Sequence, residues 1–333
     1  MKNEGKMLVP IIRYINHYFK NYKVTFILLA VVLIFTIIWV PEFFNIENVI
    51  NVARQASITG IVAIGMTFVI LTGGIDLSVG AILAVAGVSF AMMIQRGLPV
   101  GTALIIVLLL GIFMGLLNGL GSTFLGIQPF IMTLAVMAIG NGLALLLSNG
   151  TPQAFTSENK LLEFMGNGSL FGIPGPVWIF AAGAIIAGIV LRYLPFGRFV
   201  YGIGGSLEAA RLSGVKTTRV LLIVYMISGL CAAIAGIITA SRLYVGHPTT
   251  GSFIMLDSIA AVVIGGTSLI GGRGSVAGTI VGVCLLAMVA NLLNLLGVSP
   301  FHQQIAKGLI IIIAVLFTTP NLRQKIKQQW ANL

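Results

Sequence analysis

Long apolar runs separated by short polar segments fill the chain from residue 24 to residue 318. A helix needs about 20 apolar residues to cross a bilayer. On that measure the sequence contains ten candidate spans, at roughly 24–41, 52–73, 77–95, 100–122, 128–148, 176–194, 220–241, 257–271, 276–296 and 302–318. The pattern therefore predicts an all-α, polytopic integral membrane protein with about ten transmembrane helices.

Two of these spans end in paired glycines, Gly73–Gly74 in the second and Gly271–Gly272 in the eighth. Glycine-rich backbone can leave helical geometry at membrane depth when it is buried in protein. Other glycines recur every fourth residue, as at Gly111, Gly115 and Gly119. Such faces let membrane helices approach closely, so we expect this one to be a packing surface.

The basic residues predict the orientation. An even number of spans puts both termini on one side, and cytoplasmic loops are enriched in Lys and Arg. With cytoplasmic termini, most of the 19 basic residues fall on inner segments; the exceptions are Arg54, Arg96, Lys160, Arg242 and Lys307. We therefore expect a cytoplasmic N-terminal segment at 1–23, a transmembrane domain at 24–318 and a cytoplasmic C-terminal tail at 319–333.

Two loops are long enough to carry a role of their own. The outer loop 149–176 is large enough to form a docking rim. The inner loop 195–219 is polar and basic, with Ser206 as a good N-cap, Glu208 in the first turn and Gly214 to close the C-terminus. These residues predict one helix of about two turns, to which a soluble partner can bind. The alternative is an ordinary solvated loop.

Composition agrees with a membrane protein. The chain is 58% hydrophobic and 8% charged, with a mean hydropathy of +1.06. Its net charge of +11 follows from basic residues that flank spans, so we expect no nucleic-acid partner. Cys231 and Cys284 lie inside apolar segments, where they indicate neither a disulfide framework nor a metal site.

No motif for catalysis is present. The sequence lacks His-Glu-x-x-His, Cys-x-x-Cys and the Gly-x-x-x-x-Gly-Lys-Ser/Thr phosphate loop. We expect no catalytic residues, no metal and no cofactor bound by this chain. Energy for any transport must come from a partner or from an ion gradient.

Among the acidic residues, only Asp76 and Asp257 fall near membrane depth. Both resemble helix N-caps, and Asp76 could also order the glycine turn before it. A proton or ion relay is the alternative, since charges inside membranes are costly and tend to be functional. The candidate gate or helix-cap residues are Gly73, Gly74, Asp76, Ser78, Asp257, Gly271 and Gly272.

Uncharged polar residues inside the spans could hydrogen-bond a polar substrate along its path. Each could instead join two helices, which is the alternative for every one of them. The candidate pathway residues are Thr67, Thr72, Asn118, Asn141, Asn291 and Asn294.

Four blocks of the chain resemble the permease subunits of ribose-type ABC sugar importers. They are AIGMTFVILTGGIDLSVG at 63–80, GGSLEAARLSG at 204–214, DSIAAVVIGGTSLIGGRG at 257–274 and NLLNLLGV at 291–298. The similarity extends from about residue 41 to residue 317. Glu208-Ala209-Ala210, followed after three residues by Gly214, resembles the coupling motif of ABC importers, although the Leu-Pro of the fuller motif is absent after Lys216.

The resemblance implies a permease of the bacterial inner membrane that carries a monosaccharide such as ribose. It implies a cytoplasmic ATPase subunit that holds ATP and Mg, an extracytoplasmic sugar-binding protein, and a second permease copy, as a homodimer in membrane lipid. It assigns ATPase coupling to Ser206, Glu208, Ala209, Ala210, Arg211 and Gly214. Two other functions stay open: a gradient-driven carrier, which the scarcity of membrane acids disfavours, and a structural or signalling subunit.

Overall fold

A computed structural model of the protein describes residues 23–318, so the predicted terminal segments lie almost wholly outside the described residues. Thirteen α-helices lie within this part of the chain. They are α1 (Lys23–Trp39), α2 (Ile46–Leu71), α3 (Val79–Gln95), α4 (Val100–Thr123), α5 (Pro129–Ser148), α6 (Lys160–Gly166), α7 (Gly175–Tyr193), α8 (Pro195–Gly205), α9 (Leu207–Leu212), α10 (Thr217–Leu243), α11 (Gly251–Ile264), α12 (Val276–Leu295) and α13 (Pro300–Thr318).

Strands are short and few within the described residues. β1 (Gln153–Ala154) pairs antiparallel with β4 (Val245–Gly246), and β2 (Ser169–Leu170) pairs antiparallel with β3 (Ile173–Pro174). A 3-10 helix at Pro41–Phe44 joins α1 to α2. The predicted all-α class is confirmed.

Every predicted span overlaps one helix. Six of the described helices are long and apolar enough to cross a membrane: α2, α4, α5, α7, α10 and α12. Helices α3 and α11 are apolar but shorter, and so is the Leu29–Trp39 part of α1. The chain is therefore a helical protein with several membrane-spanning segments.

The eighth predicted span, 257–271, is wrong in its bounds. Helix α11 begins earlier, at Gly251, and ends at Ile264 after 14 residues. Residues 265–275 are irregular because Gly266, Gly271 and Gly272 take positive φ angles of 84°, 93° and 71°, which end a helix. At 1.5 Å per residue, α11 covers only about two thirds of a bilayer's hydrocarbon core.

Helix α10 lies at the centre of the bundle and packs against α2, α3 and α4. The glycine face of α4 makes the closest of these approaches. A Cβ atom at Gly111 would overlap the backbone of Gly229, and one at Gly115 would overlap the carbonyl of Tyr225. The predicted packing role of this face is confirmed, because only a bare backbone lets the two helices come this near.

The bundle has two ends with different contents. One end, here called the coupling end, contains residues 72–78, 195–216 and 265–275. The other, here called the rim end, contains residues 40–45, 149–174, 244–250 and 296–299. At the rim end the loop after α5 is fastened to the end of α10, because Phe155 N donates to the Tyr244 carbonyl at 2.9 Å and Asn167 Nδ2 to the Arg242 carbonyl at 2.9 Å.

Candidate functional site

A short exposed helix, α9, projects from the coupling end. Its N-cap is Ser206, whose Oγ accepts a hydrogen bond from Ala209 N at 3.2 Å. Glu208 lies in the first turn, and Gly214 follows with φ +82°. The predicted helix and its boundaries are confirmed. The prediction of a single helix in loop 195–219 is wrong, since α8 precedes α9 and α10 begins at Thr217.

Helix α9 is attached to the bundle by one residue. Ala210 is 7% exposed and packs in a cluster with Val200, Ile203 and Val220. By contrast, Leu207 is 52% exposed and Leu212 is 83% exposed. The remaining candidate coupling residues are exposed too: Ser206, Glu208, Ala209, Arg211 and Gly214. Helix α9 therefore presents most of its surface, including these two leucines, to its surroundings.

Helix α8 connects α9 to both glycine turns of the coupling end. A Cβ at Gly204 would overlap the carbonyl of Leu71, at the end of α2, and the amide of Gly272. Gly272 N donates to the Leu71 carbonyl at 2.9 Å. Tyr201 Oη donates to the Gly274 carbonyl at 2.9 Å. The end of α8, the end of α2 and the loop 265–275 therefore meet backbone to backbone, and we call this meeting point the glycine junction.

Gly73 and Gly271 complete the glycine junction. Gly73 has φ +83°, and a Cβ there would lie 3.2 Å from the Ile270 carbonyl. A Cβ at Gly271 would lie 2.8 Å from Gly73 N. The turn at 73–74 and the turn at 271–272 are thus in direct contact, although about 200 residues separate them in the sequence. Neither turn has room for a side chain.

Just beyond this junction, a hydrogen-bond network around Asp76 joins the turn 72–78 to α4, α5 and α10. It is 0% exposed. Its Oδ1 accepts from Ser78 N at 2.9 Å and from Ser78 Oγ at 2.6 Å, and its Oδ2 accepts from Ser228 Oγ of α10 at 2.7 Å. Asn118 of α4 donates to Ser78 Oγ at 2.7 Å. Thr133 of α5 donates to the Ile75 carbonyl at 3.1 Å.

Asp76 therefore orders the turn after the paired glycines, as predicted, but it does not cap α3. The N-cap position of α3 is Ser78, whose side chain makes no capping bond and serves Asp76 instead. Gly74 lies beside this network, where a Cβ would lie 2.8 Å from Tyr225 Oη. We call Asp76, Ser78, Asn118 and Ser228 the aspartate latch.

Three of the candidate pathway residues join helices to one another. Thr67 Oγ1 lies 2.7 Å from Thr279 Oγ1, between α2 and α12. Asn118 belongs to the aspartate latch. Asn291 of α12 exchanges two side-chain hydrogen bonds with Asn48 of α2, at 2.9 and 2.8 Å. These three residues therefore follow the alternative given above, in which a polar side chain joins two helices.

The other three candidate pathway residues are placed differently. Thr72 bonds the Val69 carbonyl of its own helix end at 2.7 Å. Asn141 is half-buried on α5, and Asn294 is exposed near the end of α12. The six residues do not converge on one site.

Asp257 is not a helix N-cap, so that prediction is wrong. It lies inside α11, six residues after the helix begins at Gly251, because the helix starts earlier than the apolar run suggested. Its Oδ2 forms an ion pair with Lys307 Nζ of α13 at 2.8 Å. Sequence reasoning missed this partner. The available signal was that Lys307 also falls within a predicted span, where an unpaired charge is costly.

The sequence was compared with known proteins. Residues 48–315 match the family described as branched-chain amino acid transport system / permease component. The ribose import permease protein of Bacillus subtilis is 45% identical over 291 residues, 87% of this chain and 90% of that protein. The ribose import permease protein of Haemophilus influenzae is 41% identical over 278 residues, covering 83% and 86%.

A third relative, whose name refers to a different sugar, also matches most of this chain. The L-arabinose transport system permease protein of Escherichia coli is 40% identical over 302 residues, 91% of each chain. No solved structure matches the chain significantly. The predicted resemblance is confirmed, and permease subunits of this kind are not enzymes. With its several apolar helices and this match over most of its length, the chain belongs to the family of transport-system permease components and is a multi-pass protein of the inner (cytoplasmic) membrane.

Proposed function

We propose that this chain is the permease subunit of an ATP-driven ABC importer and forms the pathway for a monosaccharide such as ribose or a related sugar. The observation that carries the proposal is α9, a capped helix held by Ala210 with Leu207 and Leu212 facing outward. The names of the relatives, which are ribose and L-arabinose permeases, support the class of cargo.

In the proposed mechanism, a partner ATPase binds α9 and moves the bundle through this contact. The ATPase binds ATP and Mg, and this chain binds neither. When the ATPase pair closes on ATP, α9 and α8 move with it. The glycine junction passes this displacement to the end of α2 and to the loop before α12 at the same time, because its backbones are in contact. A packed contact of this kind transmits motion since it cannot be compressed.

The proposed assembly contains two copies of the permease in membrane lipid. Its sugar-binding protein docks at the rim end, on the predicted outer loop 149–176. The ten spans and cytoplasmic termini that we propose place α9 in the cytoplasm. Lipid covers the strongly exposed apolar side chains of the bundle, such as Ile105, Leu146 and Ile186, which are 62%, 73% and 62% exposed.

A gradient-driven carrier is less well supported. Carriers of this class usually place ionisable residues within their spans to bind protons or Na⁺. Asp76 already accepts from Ser78 and Ser228, and Asp257 is paired with Lys307.

The test is sugar uptake by proteoliposomes that contain the permease, its ATPase and its binding protein. We expect uptake of ribose or L-arabinose only with ATP on the coupling side and binding protein on the other. Glu208→Lys and Gly214→Val should abolish uptake while the permease stays in the membrane. Glu47→Lys makes the same charge change at an exposed first-turn position, on α2 and outside loop 149–176, and it is the matched control. Uptake that runs on an ion gradient without ATP would contradict the proposal.

A further inference from the structure

A small cleft opens between α2, α11, α12 and α13, with four polar residues in a mostly apolar lining, and no site described above includes it. It encloses about 100 Å³. Its polar lining is Gln55, Thr59, Asp257 and Lys307, and most of its apolar lining comes from α12 residues such as Ala290. A charged pair, an amide and a hydroxyl thus face one space inside an otherwise apolar bundle.

The cleft lies toward the rim end. Asp257 and Lys307 are six and seven residues into helices that begin at that end, at Gly251 and Pro300. Each is therefore about 10 Å along its helix axis from the rim end. In the proposed assembly this is the side from which the binding protein delivers sugar. A molecule entering from the rim meets this polar group before it reaches the glycine junction.

The ion pair keeps hydrogen-bonding capacity that its own contact does not use. The 2.8 Å bond engages one of two carboxylate oxygens and one of three ammonium N–H donors. Both side chains line the cleft, and Lys307 and Asp257 remain 25% and 22% exposed. The pair is electrically neutral as a whole, so it can offer strong donors and acceptors to an uncharged molecule without holding an ion.

A role limited to holding α11 and α13 together would account for the ion pair between Asp257 and Lys307. It does not explain why Gln55 and Thr59, from α2, face the same cleft. Thr67, Asn118 and Asn291 illustrate what a structural tie looks like in this protein, since each bonds another side chain directly. Asp257 and Lys307 are bonded to each other in the same way, whereas Gln55 and Thr59 line the open space beside that pair.

We propose that Gln55, Thr59, Asp257 and Lys307 bind the hydroxyl groups of the sugar as it enters the permease. An uncharged polyhydroxy compound fits this lining, because each hydroxyl both donates and accepts. The carboxylate accepts, the ammonium donates, and the amide and hydroxyl do both. This inference rests on the proposed function and adds the site at which the cargo is first contacted within the membrane.

Cysteine labelling tests the contact directly. The assembled transporter is first freed of its native cysteines by Cys231→Ala and Cys284→Ala. Single cysteines are then placed in the cleft, by Gln55→Cys or Ala290→Cys. Ile186→Cys, on the outer surface of α7, is the control. We expect a charged methanethiosulfonate reagent to modify both cleft cysteines and not the control, since a thiol must ionise in water to react. Ribose-loaded binding protein should slow the labelling of the cleft cysteines at least about fivefold, and sugar-free binding protein should not. Cleft cysteines that do not react, or that react equally with and without sugar, overturn the proposal.

Uptake by charge-neutralised variants is the second measurement. We expect Asp257→Asn and the double variant Asp257→Asn/Lys307→Gln each to lower the rate of ATP-driven uptake about tenfold, with the complex still assembled. A structural tie predicts instead that the double variant recovers, because no unpaired charge remains. Full recovery in the double variant therefore overturns the inference. The proposed function is tested separately, by the wild-type assembly. If that assembly takes up no sugar with ATP, the proposed function is wrong, whatever the variants do.

Discussion

At the scale of single residues, the aspartate latch contains a carboxylate, Asp76, that is fully buried. A fully buried carboxylate is costly to desolvate unless donors surround it. Asp76 has donors from its own turn, through Ser78, and from α10, through Ser228. Hydrogen bonds to a charged group are about twice as strong as neutral ones. The latch therefore holds the turn after Gly73–Gly74 against α4 and α10.

We predict that Asp76→Asn destabilises the permease by about 3 kcal/mol, because the amide keeps one acceptor oxygen and puts an NH₂ group in place of the other, against a serine that already donates there. Ser228→Ala should cost less, about 1–2 kcal/mol, since it removes one donor and leaves Ser78 in place. The measurement is the thermal unfolding midpoint of the purified protein in detergent.

The matched control for the latch is Thr239→Val, also on α10. Within residues 23–318, Thr239 Oγ1 bonds the Ala235 carbonyl of its own helix and no other group. We expect this variant to stay within about 0.5 kcal/mol of wild type. An unfolding midpoint for Asp76→Asn equal to that of Thr239→Val would show that Asp76 makes no net contribution.

At the scale of elements, α8 is the link between α9 and the membrane bundle. Sequence patterns predicted α9 because its determinants are local: an N-cap, a first-turn acid and a closing glycine all lie within nine residues. Nothing local showed that Gly204 would rest against Leu71 and Gly272, which come from distant parts of the chain.

We predict that Gly204→Ala uncouples transport and that Gly205→Ala does not. A Cβ at Gly204 would overlap backbone atoms of Leu71 and Gly272, whereas a Cβ at Gly205 meets no described atom within 4 Å. The first variant must push α8 away from the glycine junction, so we expect about a tenfold loss in sugar transported per ATP hydrolysed. Parallel uptake and ATPase assays on the same proteoliposomes measure this ratio. Equal coupling in the two variants would show that the contact transmits no motion.

At the scale of the whole molecule, the two ends of the bundle should face opposite sides of the membrane. Ser169 of β2 lies at the rim end and Ser213 lies after α9 at the coupling end, and both are exposed. Each can be replaced by cysteine with little change in shape, in a background with Cys231→Ala and Cys284→Ala.

We predict that Ser169→Cys reacts with a membrane-impermeant maleimide in intact cells, and that Ser213→Cys reacts only after permeabilisation. The expectation follows from the enrichment of basic residues on the side that includes loop 195–219. Labelling of Ser213→Cys from outside would reverse the proposed orientation and would rule out a cytoplasmic ATPase on α9.

The sequence by itself determined the all-α membrane class, the approximate position of every helix that coincides with a predicted span, the cap at Ser206 and the family. These depend on apolar length, on residues within one or two turns of each other, and on motifs that can be read along the chain. The early start of α11 escaped this reasoning, because the charge at Asp257 interrupts the apolar run that begins at Phe253 and because Asp is a favoured N-cap residue.

Only the tertiary structure decided which distant residues share a site. It joined Asp76 to Ser228, Asp257 to Lys307, and Gly204 to both glycine turns. The physical reason is that a polar group in an apolar medium must find a partner wherever packing brings one within reach. Helical periodicity tells which face of a helix a residue occupies, but only the folded bundle decides which other helix that face meets.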